Sequence, residues 1–232
     1  MATGYWSPRS YASPVEFSEV IKKRKMVRAY TDEPVDAAVR DTILAAANRA
    51  PSAGFSQGYA LLTLEGPDQL GPFWQLVSSY HDEANSAAGS ATSSATSSGT
   101  SAGPSFEPVT RAPLVVIPLS CKDIYLDRYA RPDKGWIDRD EAHWPVPYWD
   151  IDTGFTALLM LLAAVDAGLG ALFFGIPPML IGDFRELYGV PESYLPIGAV
   201  AIGHPDTAAD SGGSSRVIKR RSLEDLVHVG RW

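Results

Sequence analysis

Arg24-Lys25-Met26-Val27-Arg28-Ala29-Tyr30 is followed, about one helix later, by Ala50-Pro51-Ser52-Ala53-Gly54-Phe55-Ser56-Gln57. The first stretch gathers cations in a chain whose formal net charge is −7 and whose isoelectric point lies near 5.1. The second is a run of small and polar residues whose backbone can approach a flat ligand closely. Together they predict a site for an anionic ring compound.

Outward from this pair the elements follow in order. Upstream, Ser13-Pro14-Val15-Glu16 combines a capping box with a proline at the first helical position, so a helix is expected to begin there. It carries Phe17, Val20 and Ile21 on one side and ends in Lys22, Lys23, Arg24 and Lys25, cations that suit the negative end of a helix dipole. Val27 to Tyr30 reads as a short extended exit. Asp36 is an N-cap for a second helix with Val39, Ile43, Leu44 and Ala47 at helical spacing, ended by Pro51. Tyr59 to Glu65 reads as a strand, and Leu70, Phe73, Trp74 and Val77 mark a third helix.

Further on, Leu114 to Leu119 is a β-branched run whose Pro118 places it near a sheet edge. Asp152 or Thr153 caps an apolar helix through Asp166, with Gly168 as its left-handed terminator, and Ala171 to Gly175 follows as a buried strand. Pro177-Pro178 starts a short helix ending before Gly189, Leu195 to Gly203 forms another strand, and Ser222-Leu223-Glu224-Asp225 reads as a last helix start. Helices and strands are mixed without a regular βαβ repeat, which predicts an α+β fold.

At 232 residues and 25.0 kDa the chain is expected to be one domain, residues 1–232. Within it, Ser86 to Ser105 is almost wholly Ser, Ala, Thr and Gly, without large apolar side chains to offset the entropy of ordering, and reads as an inserted mobile loop or lid at about 86–105. Residues 121–149 are irregular and aromatic, with Tyr125, Trp136, Trp144, Tyr148 and Trp149. They either line a pocket for planar substrates or pack a long loop onto the body.

The acidic charge excludes a nucleic-acid coat, which needs a broad basic face. Phe155 to Ile176 raises the question of a membrane span, but Asp166, Gly168 and Gly170 interrupt it. The N-terminus lacks the apolar core of a signal peptide, and the single Cys121 fits a reducing cytoplasm. Gly168-Leu169-Gly170 is not a dinucleotide fingerprint, because Phe173 stands where the third glycine belongs and the pair follows a helix. His81, His143, His204 and His228 have no metal-ligand spacing, so no metal is expected, and no G-x-S-x-G elbow occurs. The chemical clue left is basic: Arg24, Lys25 and Arg28 at one end, and Arg216, Lys219, Arg220 and Arg221 at the other. These two clusters either converge on one phosphate or remain solvated surface patches.

These residues carry a resemblance. Arg24 to Tyr30 resembles the N-terminal R-x-x-x-R signature of the FMN-dependent nitroreductase family, and Ala50 to Gln57 resembles its A-P-S-x-x-N-x-Q loop. Asp152 to Gly175, Leu195-Pro196-Ile197-Gly198 through Gly203-His204-Pro205, and the basic tail before Leu223 to His228 follow in the family's order. The resemblance spans about residues 14–80 and 111–232. It implies a nitroreductase-like α+β flavoprotein fold, with a central, mainly antiparallel sheet flanked by helices. It also implies a homodimer with exchanged segments and one FMN at each of two interface sites.

Carried over by position, Arg24 and Arg28 would hold the flavin phosphate and polar chain, with Lys25 assisting and Met26 between them. Pro51, Ser52, Ala53, Phe55 and Gln57 would lie against the ring or ribityl. Phe174 and Gly175 would offer backbone near the redox-active nitrogen, and Lys219 with Arg220 would complete the phosphate site. Three departures touch the ring contacts: Met26 stands where serine is frequent, Phe55 where asparagine is common and Gly58 where proline is frequent. The function implied is a cytoplasmic oxidoreductase passing reducing equivalents from NADH or NADPH, by way of FMN, to a small planar nitroaromatic or quinone-like acceptor. No protein acid or base is nominated. Flavin breakdown, reductive dehalogenation and non-catalytic flavin sequestration are the alternatives on the same fold.

Overall fold

The structure is a computed structural model and describes residues 16–91, 106–210 and 212–232. Its centre is a sheet of β1 (Tyr59–Glu65), β2 (Leu114–Ser120), β3 (Gly170–Phe174), β4 (Leu195–Pro196) and β5 (Ala199–Gly203), in the order β1-β2-β5-β3 with β4 beside β2. Every pairing between these strands is antiparallel. Around it lie α1 (Phe17–Lys23), α2 (Ala37–Ala47), α3 (Gly66–Ala91), α4 (Lys122–Tyr129), α5 (Tyr148–Asp166) and α6 (Ile181–Tyr188).

Strand alternation decides which helix covers which face. In β2, Leu114 and Val116 point to one side, against Ile43 and Ala47 of α2 and Ala157, Met160 and Ala164 of α5. Val115 and Ile117 point to the other, against Phe73, Trp74 and Val77 of α3 and Phe184 of α6. Both faces are covered, so all seven residues of β2 are buried. Burial of each Val, Leu or Ile there stabilises by about 1.5–3 kcal/mol.

Local signals behave as the sequence indicates. Asp36 caps α2, its carboxylate accepting from the Ala38 N–H at 2.8 Å, and Gly189 ends α6 in the left-handed conformation. Residues 13–15 of the expected first cap lie outside the described residues, and Glu16 at the start of α1 makes no side-chain capping bond. The sheet-edge expectation for Leu114 to Leu119 is wrong, because β2 is an interior strand. Pro118 is tolerated there because the β2/β5 register ends at Val116 and resumes with β4 at Leu119, so its missing N–H falls where the neighbouring strand breaks.

That break also divides the expected Leu195 to Gly203 strand into β4 and β5. Gly198 lies between them at φ 151°, where an added Cβ would stand 2.6 Å from the Phe173 ring and 2.7 Å from the Phe174 carbonyl oxygen. Helix α5 begins at Tyr148, so Asp152 is interior to it and caps nothing. Helix α3 runs through residue 91, so residues 86–91 of the expected loop are helical; residues 92–105 of that expectation lie outside the described residues. Ser222 to Asp225 forms one turn, with the Ser222 hydroxyl accepting from the Asp225 N–H at 3.2 Å, and no helix follows. The aromatic stretch 121–149 contains α4; Tyr125, Tyr129, Trp144 and Trp149 pack on one another, Tyr125 and Tyr129 stand against Gly58 and Gly54, and Ile124, Asp127, Arg128 and Arg131 line a cavity.

Candidate functional site

The basic stretch is held at the edge of the sheet by its apolar half. The Val27 N–H donates to the Ala171 carbonyl at 3.0 Å, and Met26 bridges to Ala171 in parallel. Tyr30 is wholly buried, and its hydroxyl faces the Val27 and Ala201 carbonyls at 2.9 and 3.1 Å. With Val27, Ala29 and Tyr30 inward, Arg24, Lys25 and Arg28 are left on the outside.

One buried carboxylate draws the far end of the chain to them. Asp210 accepts from the Arg28 N–H at 3.3 Å, the Gly212 N–H at 3.1 Å and the Lys25 ammonium at 3.4 Å. Burial opposes its charge, but these donors outweigh that and hold its carboxyl below the ordinary carboxylate value. The Arg216 guanidinium donates to the Asp210 carbonyl at 2.9 Å. The outcome is a cavity of about 350 Å³ lined by Arg24, Lys25, Met26, Arg28 and Arg220, with Leu158 and Leu161 of α5 as its apolar floor. The Arg24 and Arg220 guanidinium groups have no hydrogen-bond or ion-pair partner among the described residues, so the cavity keeps cationic charge to offer.

The second stretch is a turn fixed from below. The Asp152 carboxylate, 3% exposed, accepts from the Ala53 N–H at 2.7 Å and from the Tyr125 hydroxyl at 2.8 Å. Burial, then this bond to Asp152, pushes the Tyr125 phenol far above its ordinary pKa, so it stays a donor. Ser52 contributes twice, its carbonyl accepting from the Phe55 N–H at 2.9 Å and its hydroxyl from the Gln57 N–H at 3.0 Å. The Ser56 hydroxyl donates to the Ala53 carbonyl at 2.6 Å and Arg128 Nε to the Gly54 carbonyl at 2.9 Å. So held, Phe55 is 73% exposed and lines, with Gln57, Arg128 and Arg131, a second cavity of about 510 Å³.

Of the residues singled out by sequence, Arg24, Lys25, Met26, Arg28 and Arg220 meet at the first cavity, and Phe55 and Gln57 at the second. Ser52 and Ala53 support the turn, and Pro51 is exposed beside it. Lys219 is exposed and does not line the basic cavity. The Phe174 ring packs with Trp74 and Phe106, which leaves only its backbone and that of exposed Gly175 for a ligand. Both cavities lie along α5: Asp152 is under the turn and Leu158 and Leu161 are under the cations, about 9–14 Å further along the helix axis. Sequence reasoning missed Asp210 and took Asp152 for a cap. The glycines at 212 and 213 were a faint sign of the first, since a turn that close to a carboxylate supplies free N–H groups.

The class that this geometry defines is an α+β protein with an antiparallel sheet, in which a cationic cavity and a turn of small residues lie along one helix. The chain belongs to the nitroreductase family, whose sequence pattern matches residues 21–204, and with it to the oxidoreductases. A protein provisionally named NADH dehydrogenase/NAD(P)H nitroreductase, from Methanothermobacter thermautotrophicus, is 23% identical over 223 residues, covering 95% of this chain and 90% of that one. Among solved structures, nitroreductase CinD from Lactococcus lactis in complex with chloramphenicol aligns at TM-score 0.69 and 18% identity, over 93% of this chain and 100% of its own. NfrA1 nitroreductase from B. subtilis aligns at TM-score 0.66 and 17% identity, over 93% of this chain and 74% of its own. The fold agrees with the α+β expectation, with the sheet antiparallel and flanked by helices.

Proposed function

We propose that the protein is an FMN-dependent oxidoreductase that takes reducing equivalents from NADH or NADPH and passes them, in a ping-pong cycle, to small planar acceptors of nitroaromatic or quinone type. The observation that carries the reading is the basic cavity, where Arg24, Lys25, Arg28 and Arg220 converge and two of the guanidinium groups lack partners among the described residues. Such a cavity fits a dianionic phosphate, because arginine forks donate paired hydrogen bonds to its oxygens. When bound, FMN supplies the hydride and electron chemistry.

The chain's own residues bind and orient. Arg24, Arg28 and Arg220 hold the phosphate, with Lys25 adding charge in the cavity and Lys219, next to Arg220 in the chain, adding charge from outside its lining. The Asp152-anchored turn of Pro51, Ser52, Ala53, Phe55 and Gln57 presents a fixed edge to the ring system. The backbone at Phe174 and Gly175 offers donors where negative charge builds up on the reduced ring.

The site is proposed to be shared between two copies of the chain. Ile151, Phe155 and Leu158 follow one another at helical spacing on α5 and are all exposed, and Phe17 and Ile21 do the same on α1. The tail from Val217 to Trp232 also exposes apolar side chains, including Leu223, Val229 and Trp232. A homodimer that exchanges these segments would cover them and set the turn of one copy beside the cations of the other. Residues 1–232 are read as one domain, and the single Cys121 fits a reducing cytoplasm.

The test is an absorbance spectrum of the purified protein. A yellow protein that bleaches anaerobically with NADH or NADPH and recovers its colour with a nitroaromatic supports the proposal. A colourless protein that takes up no added FMN overturns it.

A further inference from the structure

The second cavity holds a charge that the phosphate site does not use. Its wall is a turn in which Phe55 and Gln57 both adopt positive φ, at 54° and 53°, a conformation disfavoured for residues with a Cβ. The bonds from Asp152, Ser52 and Arg128 overcome that preference. What the strained geometry achieves is to turn the Phe55 ring outward, where it stands 73% exposed at the cavity. An apolar ring in water is unfavourable for the free protein and favours whatever flat surface covers it.

The charges around that ring can be accounted for one by one. Arg128 gives its two terminal nitrogens to Asp133 at 2.9 and 2.7 Å, and its Nε to the Gly54 carbonyl. Asp127 is paired with Arg139 at 3.0 Å. Lys134 stands over the Tyr129 ring, 5.1 Å from its centroid. Arg131 lines the cavity, and its guanidinium has no hydrogen-bond or ion-pair partner among the described residues. Among the described residues the cavity therefore offers an exposed aromatic face, the Gln57 side chain and one cation whose charge no carboxylate meets, the Asp127 carboxylate on its wall being held by Arg139.

We infer that this cavity takes a small planar ring bearing a carboxylate or similar anionic group, and that Arg131 sets a preference for anionic over neutral acceptors. The acceptor ring shares the exposed Phe55 with the flavin edge proposed above, while its anionic group receives the Arg131 fork, which a neutral hydroxymethyl or unsubstituted ring cannot exploit. The part of this inference that concerns turnover rests on the function proposed above; the part that concerns binding does not.

The experiment has a binding arm and a turnover arm. Calorimetric titration of the purified protein with benzoate and with benzyl alcohol should show benzoate bound about tenfold or more tightly. Arg131→Ala should bring benzoate to the level of benzyl alcohol, while Arg131→Lys keeps part of the difference. Equal binding of the two compounds by the unaltered protein, or an undiminished benzoate preference in Arg131→Ala, overturns the inference. With FMN and a nicotinamide donor present, Arg131→Ala should raise KM for 4-nitrobenzoate about tenfold with kcat unchanged and leave 4-nitrobenzyl alcohol unaffected. A variant that instead raises KM for the nicotinamide donor and leaves the acceptor ratio alone assigns the cation to the donor's phosphates, and overturns the inference too. Failure of benzoate binding in a protein whose flavin still cycles sinks this inference alone, whereas Arg131-dependent benzoate binding in a protein that takes up no FMN sinks the proposed function alone.

Discussion

Two aspartates at the site neither touch the proposed ligand nor show in any short motif, yet each sets the geometry of its cavity. Asp210 joins Lys25 and the Arg28 backbone to the Gly212 turn, so it links both ends of the chain through one carboxylate. Because its folded pKa is lowered, the stability it contributes is present above the unfolded carboxylate value and is lost as pH falls through the lower, folded one. Asp210→Asn should therefore cost about 1–3 kcal/mol at neutral pH. The difference between the two proteins in urea unfolding should shrink below about pH 4. Arg24→Ala should weaken FMN retention by about ten- to a hundredfold, the worth of one charged hydrogen-bond partner. Flavin fluorescence after exhaustive dialysis reads that loss, and full occupancy in the variant would remove Arg24 from the phosphate site. Asp152→Ala leaves the Ala53 N–H and the Tyr125 hydroxyl without their acceptor, so the turn should loosen while the cations stay in place. The expected result is a raised KM for acceptor with phosphate-dependent FMN binding little changed.

Among the elements, what the sequence made legible were features with a local cause. Asp36 caps its own helix, Gly168 and Gly189 end theirs at positive φ, and Tyr59 to Glu65 is rich enough in strand-forming residues to read as the strand it forms. The misreadings concern long-range geometry. Pro118 looked like an edge proline because nothing near it announces that β4 and β5 part company some eighty residues later. Asp152 looked like a cap because its partners, Ala53 and Tyr125, are far away along the chain. The cations were legible as two clusters, but their convergence depended on Asp210, whose three donors come from two ends of the molecule. Gly198 is the residue on which the β4/β5 break depends. Gly198→Ala would carry a Cβ at φ 151° into the Phe173 ring and the Phe174 carbonyl, and should cost about 2–4 kcal/mol. The thermal midpoint should drop accordingly, and an unchanged midpoint would mean that the break can close without this glycine.

At the level of the molecule, α5 does two jobs with two faces. Its inner face, with Ala157, Met160 and Ala164, fills the core between α2 and the sheet. Tyr148–Asp166 is long and apolar enough to cross a membrane by length and composition, and here it is packed against β2 and β3 instead. Its outer face, with Ile151, Phe155 and Leu158, runs between the Asp152-anchored turn and the basic cavity and stays exposed. A core helix has no reason of its own to keep three large apolar residues part-exposed to water, where burying the remainder of each would stabilise by about 1 kcal/mol. A second copy of the chain would recover that energy and, in doing so, bring a turn and a cation cluster from different chains together. Phe155→Glu places a charge in the middle of the stripe without touching either cavity's lining. Sedimentation should then show a monomer where the unaltered protein is a dimer, with helix content preserved. If the site is shared, FMN retention must fall in the same variant; a monomer that holds FMN as tightly as the parent would confine the site to one chain.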